Sequence, residues 1–398
     1  PGSAYPFAGL CGAAVACKLC CAMFDRAHGR QDAAPTNASV GAGLAPPASR
    51  AALNALVDLV AVATVADVMP LTDENRTFVK YGLAMLREGR RPALACLLGV
   101  AGIDPARVSS RDIAFGVAPR INAAGRLEDA AAGVELFLTD DPARMREIAQ
   151  RMDALNRERQ AIQKKCVDDC MALARDAGPF LLLRPPAAHE GVSGIVAGKV
   201  REATGLPCAV VAESADDGAL YLKGSARSAG RLDLIALLRR HEEFFVRVGG
   251  HAAAAGFLIR AGDEEQLRAA LCADLAALLA DDPALLDEEE TVDADVAPED
   301  VTEALADALE ALAPFGAGWR EPLLSFTALP SDITDVRAMG ADGAHGRFKA
   351  AGVPCTWFRW DPDLLGKPLQ ITGTLGWNHF RGQKILQFTV AQVQEIIV

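Results

Sequence analysis

The sequence predicts a multidomain α/β protein, and three features lead to this prediction. Its 398 residues suggest two or three domains. The stretch that follows Pro142 contains no glycine or further proline up to Ala177, which predicts one long helix. Strand-like and helix-like segments alternate after it, and all 4 tryptophans fall in a final region of short alternating segments.

Residues 1–140 are expected to form a mostly helical domain. The Ala-rich segment Ala13–Phe24 and the apolar run Leu53–Met69 both have helical character, and Pro70 ends the second run. Asp67 lies near the end of that run, where a buried carboxylate would need a partner or a metal ion. The sequence leaves open whether Asp67 is a ligand or caps the turn before Pro70.

Residues 141–178 are expected to form a helix that connects two domains. Asp141-Pro142 is a favourable start, because proline at the first helical position loses no helical hydrogen bond, and Gly178 is a natural stop. At 1.5 Å per residue, the helix would be roughly 50 Å long. Its polar composition is typical of a bridge between domains rather than of a core helix.

A second domain is predicted at residues 179–285. Phe180–Leu183 and Leu206–Ala212 are strand-like, and Val192–Ala203 between them has helical spacing. A strand–helix–strand order implies parallel strands joined by a right-handed crossover. His189 lies just before this helix, where backbone N–H groups favour anions, although it equally fits a surface loop.

Two short motifs in this domain suggest a site for an anionic ligand. The segment Lys223–Ser228 carries phosphate-seeking side chains, among them Ser225 and Arg227. Further along, the glycine pair Gly249-Gly250 allows a tight backbone turn directly before His251. The alternative, a turn and a solvated basic loop, remains open from these residues alone.

Residues 286–398 are predicted to be an acidic linker followed by a small β-barrel. The stretch 281–310 is rich in Asp and Glu and contains no Lys or Arg, whereas Leu369–Leu375 and Ile385–Val390 alternate as strands do. Aromatic and basic residues in this region suit stacking on the bases of single strands, and packing in the core is the alternative. They are Trp319, Trp357, Trp360, Trp377, Arg347, Lys349, Arg359, Arg381 and Lys384.

Composition narrows the class of protein. The net charge of −12 comes mainly from the acidic stretch, which leaves room for a local basic groove elsewhere. No apolar run reaches the length of a membrane span, and no signal peptide opens the chain. The 10 scattered cysteines predict reduced thiols, so a cytoplasmic protein without membrane association is expected.

Several motifs occur in an order that is specific to one family. They are Tyr5–Leu10, Thr64–Leu71, Pro119–Arg126, Leu155–Gln160, His189–Gly191, Lys223–Ser228, Gly249–His251 and Pro314–Gly318. On these motifs the sequence resembles the RecJ family of single-strand-specific exonucleases, within the DHH phosphoesterase superfamily. The resemblance covers essentially the whole chain.

The resemblance implies a domain order and a chemistry. Residues 1–140 would be the C-terminal part of a DHH catalytic domain, and 141–178 the connecting helix. The DHH-associated domain with its GGH motif would follow at 179–285, and the acidic linker and OB-fold nucleic-acid-binding domain at 286–398. Mn²⁺ or Mg²⁺ would activate water and clamp the phosphate during in-line attack.

Residue roles also follow from the resemblance. Asp67 would be a metal ligand and part of the catalytic site. Three further catalytic-site residues, which would contact the phosphate or support the site near the metals, are Arg120, Asn122 and Arg126. Contacts with the substrate strand are expected from His189, Ser225, Arg227, Gly249, Gly250 and His251.

One departure from the family affects the expected activity. The Asp-x-Asp strand motif and the Asp-His-His signature, which in the family precede the stretch matched by Tyr5–Leu10, have no counterpart ahead of it here. One carboxylate cannot hold two metal ions, so the polypeptide alone is predicted not to hydrolyse DNA. In order of preference, the chain would be a fragment of a longer protein, one of two complementary chains, or a degenerate binding remnant.

The predicted function of the whole protein is 5′-to-3′ exonucleolytic degradation of single-stranded DNA in repair and recombination. A single-strand-binding protein or a helicase would be its protein partner. Two alternatives remain: a non-catalytic fragment that binds single-stranded nucleic acid, and a small-oligonucleotide phosphodiesterase of the same superfamily. The OB-like C-terminal region lowers the weight of the second alternative.

Overall fold

The computed structural model describes residues 7, 9–28, 50–186, 188–216, 219–287, 291–340, 343–380 and 383–396. Part of the Tyr5–Leu10 motif and Arg381 therefore lie outside the described residues. The chain divides into two compact units. Unit 1 combines residues 1–118 with 291–398, and unit 2 comprises residues 119–290.

The helices lie mainly in the first three quarters of the chain. They are α1 (Gly12–His28), α2 (Arg50–Asn54), α3 (Val57–Ala66), α4 (Asp73–Arg87), α5 (Pro92–Ala101), α6 (Ser110–Asp112), α7 (Ala118–Leu127), α8 (Ala131–Leu138), α9 (Pro142–Leu173), α10 (Glu190–Thr204), α11 (Leu234–Arg239), α12 (Glu264–Asp281) and α13 (Glu303–Glu310). Within the described residues, none is both long and apolar enough to cross a bilayer.

The strands form one sheet in each unit. They are β1 (Leu181–Leu183), β2 (Cys208–Asp216), β3 (Ala219–Arg227), β4 (Phe245–Gly250), β5 (Ala254–Arg260), β6 (Ala294–Asp295), β7 (Leu324–Ala328), β8 (Ile333–Met339), β9 (His345–Ala350), β10 (Val353–Phe358), β11 (Leu369–Phe380) and β12 (Gln383–Glu395).

The sheet of unit 2 has the order β1-β2-β3-β5-β4, and β1 runs parallel to β2 as the strand–helix–strand pattern predicts. Side chains on alternate positions of these strands enter two cores. Leu182 and Ala209 pack with residues of α11 and α12 on one face. Leu181 and Val210 pack with residues of α9 and α10 on the other face. The sheet is thus covered by helices on both sides.

The predicted long helix is present as α9, and it begins at the residues that the sequence indicates. Asp141 is the N-cap and accepts a hydrogen bond from the backbone N–H of Ala143, while Pro142 occupies the first turn. The helix has 32 residues and lies entirely within unit 2. Its buried face therefore contributes to the core of that unit rather than standing free in solvent.

The acidic residue buried in the apolar run of unit 1 is Asp58, not Asp67. Asp58 is 1% exposed in α3 and receives two hydrogen bonds from Arg91, Nε to Oδ2 at 2.7 Å and Nη2 to Oδ1 at 2.9 Å. Asp67 is exposed just after α3, where its backbone N–H bonds to the Ala63 carbonyl oxygen. Asp67 is the C-cap residue of α3 and therefore is not the buried carboxylate of this run.

The second sheet of unit 1 has the order β6-β7-β11-β12-β10-β9-β8. Its pairing ends at β6 and β8, so the described strands do not close completely, which is consistent with the partly open barrel of the expected OB-fold. Trp357 is buried in its core, and Trp360 and Trp377 pack against that core. Core packing thus accounts for these three tryptophans.

The segment that carries the Pro314–Gly318 motif holds the sheet of unit 1 against its helical part. Arg76 donates from Nη1 to the Pro314 carbonyl oxygen at 2.9 Å, and its guanidinium lies 4.4 Å from the ring centroid of Trp319. The backbone N–H of Leu71 donates to the Ala317 carbonyl oxygen at 2.7 Å. The motif therefore has a structural role inside unit 1.

Glu321, also in unit 1, gives a pH-dependent prediction. Burial raises the pKa of its carboxyl, and the nearby Arg111 offsets this only in part. With a folded-state pKa above the unfolded value, stability is full below the unfolded pKa and falls as the pH rises through the folded one. We expect Glu321→Gln to raise the melting temperature at pH 8 and to have little effect near pH 4.

Thermal denaturation followed by circular dichroism at both pH values would measure this difference. Glu299→Gln is the matched control, because Glu299 is exposed in the same unit. A Glu321→Gln variant that is less stable than the parent at pH 8 would contradict the assignment.

Candidate nucleic-acid interface

Polar groups gather at the N-terminus of α10 in unit 2. His189 is the N-cap, and its Nδ1 accepts a hydrogen bond from the backbone N–H of Gly191 at 3.1 Å. Arg126, from the last turn of α7, donates from Nη1 to the Gly191 carbonyl oxygen at 2.7 Å. The sequence motifs around His189 and Arg126 are therefore adjacent in space, at a helix end whose first backbone N–H groups already donate to His189.

Ser225 and Arg227 reach the same helix from strand β3. A side chain at Gly194 of α10 would come within 2.8 Å of Ser225 Oγ and 2.9 Å of Arg227 Nη2, so the glycine permits this close approach. Arg227 donates to Ser225 Oγ at 3.4 Å and to the Ala226 carbonyl oxygen at 2.8 Å. Burial, together with the charge of Arg126, lowers the pKa of Arg227.

A third arginine, Arg159 of α9, belongs to this group and has no role in the sequence-based prediction. Arg159 is 8% exposed. Its pKa is lowered mainly by burial and, to a smaller extent, by the positive charge of Arg126. Within the described part of the chain, Arg126, Arg159 and Arg227 form no ion pair with a carboxylate. Guanidinium groups without a counter-ion have the chemistry that suits the binding of an anion.

The other two predicted residues of α7 are arranged differently. Arg120 donates to Asp153 of α9, from Nη2 at 2.8 Å and from Nε at 3.0 Å to the same Oδ1. Asn122 is exposed on α7. Because the charge of Arg120 is matched by a buried carboxylate, this arginine supports the packing of α7 on α9.

The GGH motif forms the turn between β4 and β5. The backbone N–H of His251 donates to the Ala254 carbonyl oxygen at 2.8 Å, and Ala254 pairs with Arg227 in the sheet. The exposed His251 thus lies in the turn beside the end of β3 that carries Arg227. The two motifs that sequence analysis connected do meet at one edge of the sheet.

Gly250 has a conformation that only glycine adopts without strain. Its φ is +149°, and an added Cβ would lie 2.4 Å from the Ala254 carbonyl oxygen, whereas a Cβ at Gly249 would meet no atom within 4 Å. We expect Gly250→Ala to destabilise unit 2 by about 1–3 kcal/mol and to displace His251. Gly249→Ala is the control and is expected to be nearly neutral.

Urea denaturation of the two alanine variants would measure this contrast. Equal stability of the Gly249→Ala and Gly250→Ala proteins would contradict the strain at position 250. The comparison is sharp because the two positions are adjacent and receive the same methyl group.

The described residues do not by themselves fit a metal centre. Asp67 is exposed, and among the described residues no group of three or more His, Cys, Asp or Glu side chains could hold an ion. A single carboxylate does not provide the ligands that a two-metal phosphodiesterase site needs. No catalytic step through a metal ion follows from this arrangement.

A second candidate surface lies on the outer face of the unit 1 sheet. Arg347 is exposed on β9, and next to it His345 and Phe358 pair across β9 and β10 with ring centroids 5.3 Å apart. Phe358 is 54% exposed. An exposed aromatic beside an exposed guanidinium suits stacking with a base of a single strand. In contrast, Lys384 pairs with Asp307 and Lys349 with Asp335.

Two family models match the chain. The DHHA1 domain matches residues 177–278, and the RecJ OB domain matches residues 292–392. The single-stranded-DNA-specific exonuclease RecJ of Dickeya dadantii is 32% identical over 366 residues, which is 87% of this chain and 62% of that relative. RecJ of Thermus thermophilus is 32% identical over 340 residues, 85% of this chain and 47% of the relative.

Solved structures give the same result. The crystal structure of the Thermus thermophilus RecJ–Mn²⁺ complex superposes with a TM-score of 0.75 at 29% identity, covering 89% of this chain and 51% of that one. The RecJ–Mg²⁺ complex from the same organism has a TM-score of 0.75 at 30% identity, with 89% and 53% coverage. The chain thus spans roughly half of the structures it resembles.

Proposed function

This chain belongs to the RecJ family, and on this premise we propose that it forms part of a metal-dependent 5′-to-3′ exonuclease for single-stranded DNA. The whole enzyme would act in the cytoplasm in DNA repair and recombination, with a single-strand-binding protein or a helicase as its partner. The contribution of the chain described here is to hold the strand.

The observation that carries this proposal is the arginine group at the N-terminus of α10. Arg227 lies beside Ser225, Arg126 donates to the Gly191 carbonyl oxygen, and neither arginine has a carboxylate partner in the described part of the chain. Guanidinium groups bind phosphate oxygens in pairs, and a serine hydroxyl adds a further donor. This donor set suits a phosphate at the end of a strand, because a terminal monoester carries more negative charge than an internal diester.

The remaining predicted residues have supporting roles in this proposal. His251 would contact the strand from the turn next to Arg227, and His189 would fix the N-terminus of α10 by accepting the Gly191 N–H. Gly249 and Gly250 shape that turn. Arg120 and Asn122 would hold α7, and with it Arg126, near the phosphate.

We propose Asp67 as one ligand for Mn²⁺ or Mg²⁺, the ions named for the two Thermus structures. When bound, such an ion would activate water and stabilise the charge on the phosphate. The sequence contains no Asp-His-His motif, so the 398-residue polypeptide alone is expected to bind strands without hydrolysing them.

Fluorescence anisotropy with a 3′-labelled oligonucleotide would test the proposal. We expect the chain to bind a 5′-phosphorylated oligonucleotide more tightly than the same oligonucleotide with a 5′-hydroxyl, with an affinity that falls as salt rises. Equal affinity for both ends would contradict recognition of a terminal phosphate. A nuclease assay with Mn²⁺, in which cleavage by this chain would contradict the expected inactivity, completes the experiment.

A non-catalytic role in binding single strands is the second candidate, favoured by the exposed Phe358 and Arg347 on the unit 1 sheet. In that case Phe358→Ala would abolish binding of single strands, whereas phosphorylation of the 5′ end would not matter. A small-oligonucleotide phosphodiesterase is less favoured, because the RecJ OB domain at residues 292–392 suits a longer strand.

A further inference from the structure

Arg159 of α9 is a buried cation that lacks a counter-ion among the described residues. Its contacts are hydrogen bonds to uncharged amides, from Nε at 3.2 Å and Nη2 at 3.0 Å to Asn156 Oδ1, and from Nη1 at 3.1 Å to Gln163 Oε1. Burial of a charge that is not matched by an opposite charge is unfavourable. The stability of α9 therefore does not explain why an arginine occupies this buried position.

The two amides fix the orientation of the guanidinium. A guanidinium has five N–H groups, of which Asn156 and Gln163 accept three. One N–H on Nη1 and one on Nη2 have no acceptor in the described part of the chain. A pair of donors on neighbouring nitrogens suits two oxygens of one anion.

Arg159 lies on the buried face of α9, which packs with α10 in one core. Arg159, Gln163 and Cys166 follow one another at helical spacing on the buried face of α9, and Cys166 belongs to the same hydrophobic core as Val192 near the start of α10. Arg159 lies seven residues before Cys166, which is about 10 Å along the helix. The charge of Arg126 acts on Arg159, and Arg126 itself donates to the Gly191 carbonyl oxygen at the start of α10, so the two guanidinium groups lie near one another.

We propose that Arg159 is a specificity-determining residue that selects a dianionic terminal phosphate together with Arg126 and Arg227, and that Asn156 and Gln163 are positioning residues for its guanidinium. This inference rests on the proposed function. An internal phosphodiester carries one negative charge and a terminal monoester up to two. Arg159, as the third arginine, therefore strengthens binding of the terminal phosphate more than binding of an internal phosphate.

Gln163→Glu is the decisive variant, because it places a carboxylate on Arg159 without a change of shape. A structural role for Arg159 predicts that the variant folds at least as well and binds DNA as before. Our inference predicts normal folding but a loss of preference for the 5′-phosphorylated over the 5′-hydroxyl oligonucleotide. The expected loss is about 10-fold or more, the value of a hydrogen bond to a charged group.

Gln160→Glu is the matched control, since Gln160 is an exposed residue of α9 and the charge change is the same. Arg159→Lys is a second test that keeps the charge but removes the fork, and it should also lower the preference. Anisotropy with both oligonucleotides, and circular dichroism to verify folding, would be measured for each protein.

The outcomes separate this inference from the proposed function. If the parent chain shows no preference for the phosphorylated end, recognition of a terminal phosphate fails, and the role of Arg159 fails with it. If the parent shows the preference and folded Gln163→Glu retains it, only the inference about Arg159 is overturned. An equal loss for both oligonucleotides would also overturn it, because the effect would then be general electrostatics.

Discussion

Replacing Arg91 by alanine is expected to lower the free energy of unfolding of unit 1 by about 3–5 kcal/mol, because it leaves the buried Asp58 carboxylate without its counter-ion. Asp58 is 1% exposed, and Arg91 bonds to both of its oxygens. The hydrogen bond that Asp58 Oδ1 accepts from the Leu59 backbone N–H would remain, but it does not neutralise the charge of the carboxylate. All 4 tryptophans lie in unit 1, so urea unfolding followed by tryptophan fluorescence reports on this unit.

A double-mutant cycle separates charge from packing. The Asp58→Ala/Arg91→Ala protein removes both charges and is expected to recover part of the stability that Arg91→Ala loses. A double variant that is no more stable than the single one would show that lost packing is the cause. Arg107→Ala is the control, since Arg107 is exposed and lies 3.9 Å from its partner Asp104.

Arg227→Ala is expected to weaken binding of a 5′-phosphorylated single strand by roughly 10- to 100-fold, the range of charge-assisted hydrogen bonds. The reason is that Arg227 is held against α10 beside Ser225 with its charge unmatched in the described part of the chain. The dependence of the affinity on salt should also become weaker, because one phosphate contact is lost. Anisotropy at two or more salt concentrations would measure both effects.

Arg239→Ala provides the control for this prediction, since Arg239 is an exposed arginine of α11 in the same unit. His251→Ala is expected to cause a smaller loss than Arg227→Ala, because His251 is exposed in a turn. Unchanged affinity in both the Arg227 and the His251 variants would remove the strand-binding role from this edge of the sheet.

Local chemistry explains which elements could be predicted from the sequence. The N-cap Asp141 and the following Pro142 define the start of α9, and the apolar spacing of Val192–Ala203 identifies α10. The strand–helix–strand order correctly predicts the parallel pair of β1 and β2. These features depend on residues that are close together in sequence, so a single sequence contains the information.

Pairings between distant residues could not be predicted in this way. Asp58 pairs with Arg91, which is 33 positions away in the sequence. Hydrophobic periodicity alone does not indicate which acidic residue of the apolar run is buried. Arg159 was missed because an arginine on a polar helix suggests a solvent-facing residue. A usable signal did exist: Arg159, Gln163, Cys166 and Cys170 share one face of α9, so polar and apolar residues occupy the same buried stripe.

The assembly of unit 1 from two separated stretches has a consequence for synthesis of the chain. The carbonyl oxygen of Pro314 that Arg76 binds is 238 positions further along the chain, so it leaves the ribosome only after the whole of unit 2. Unit 2 is continuous in sequence and is expected to fold first. At that stage the segment that Leu71 and Arg76 bind has not yet been synthesised. A nascent chain that stops near residue 290 would therefore expose this surface to proteases and chaperones.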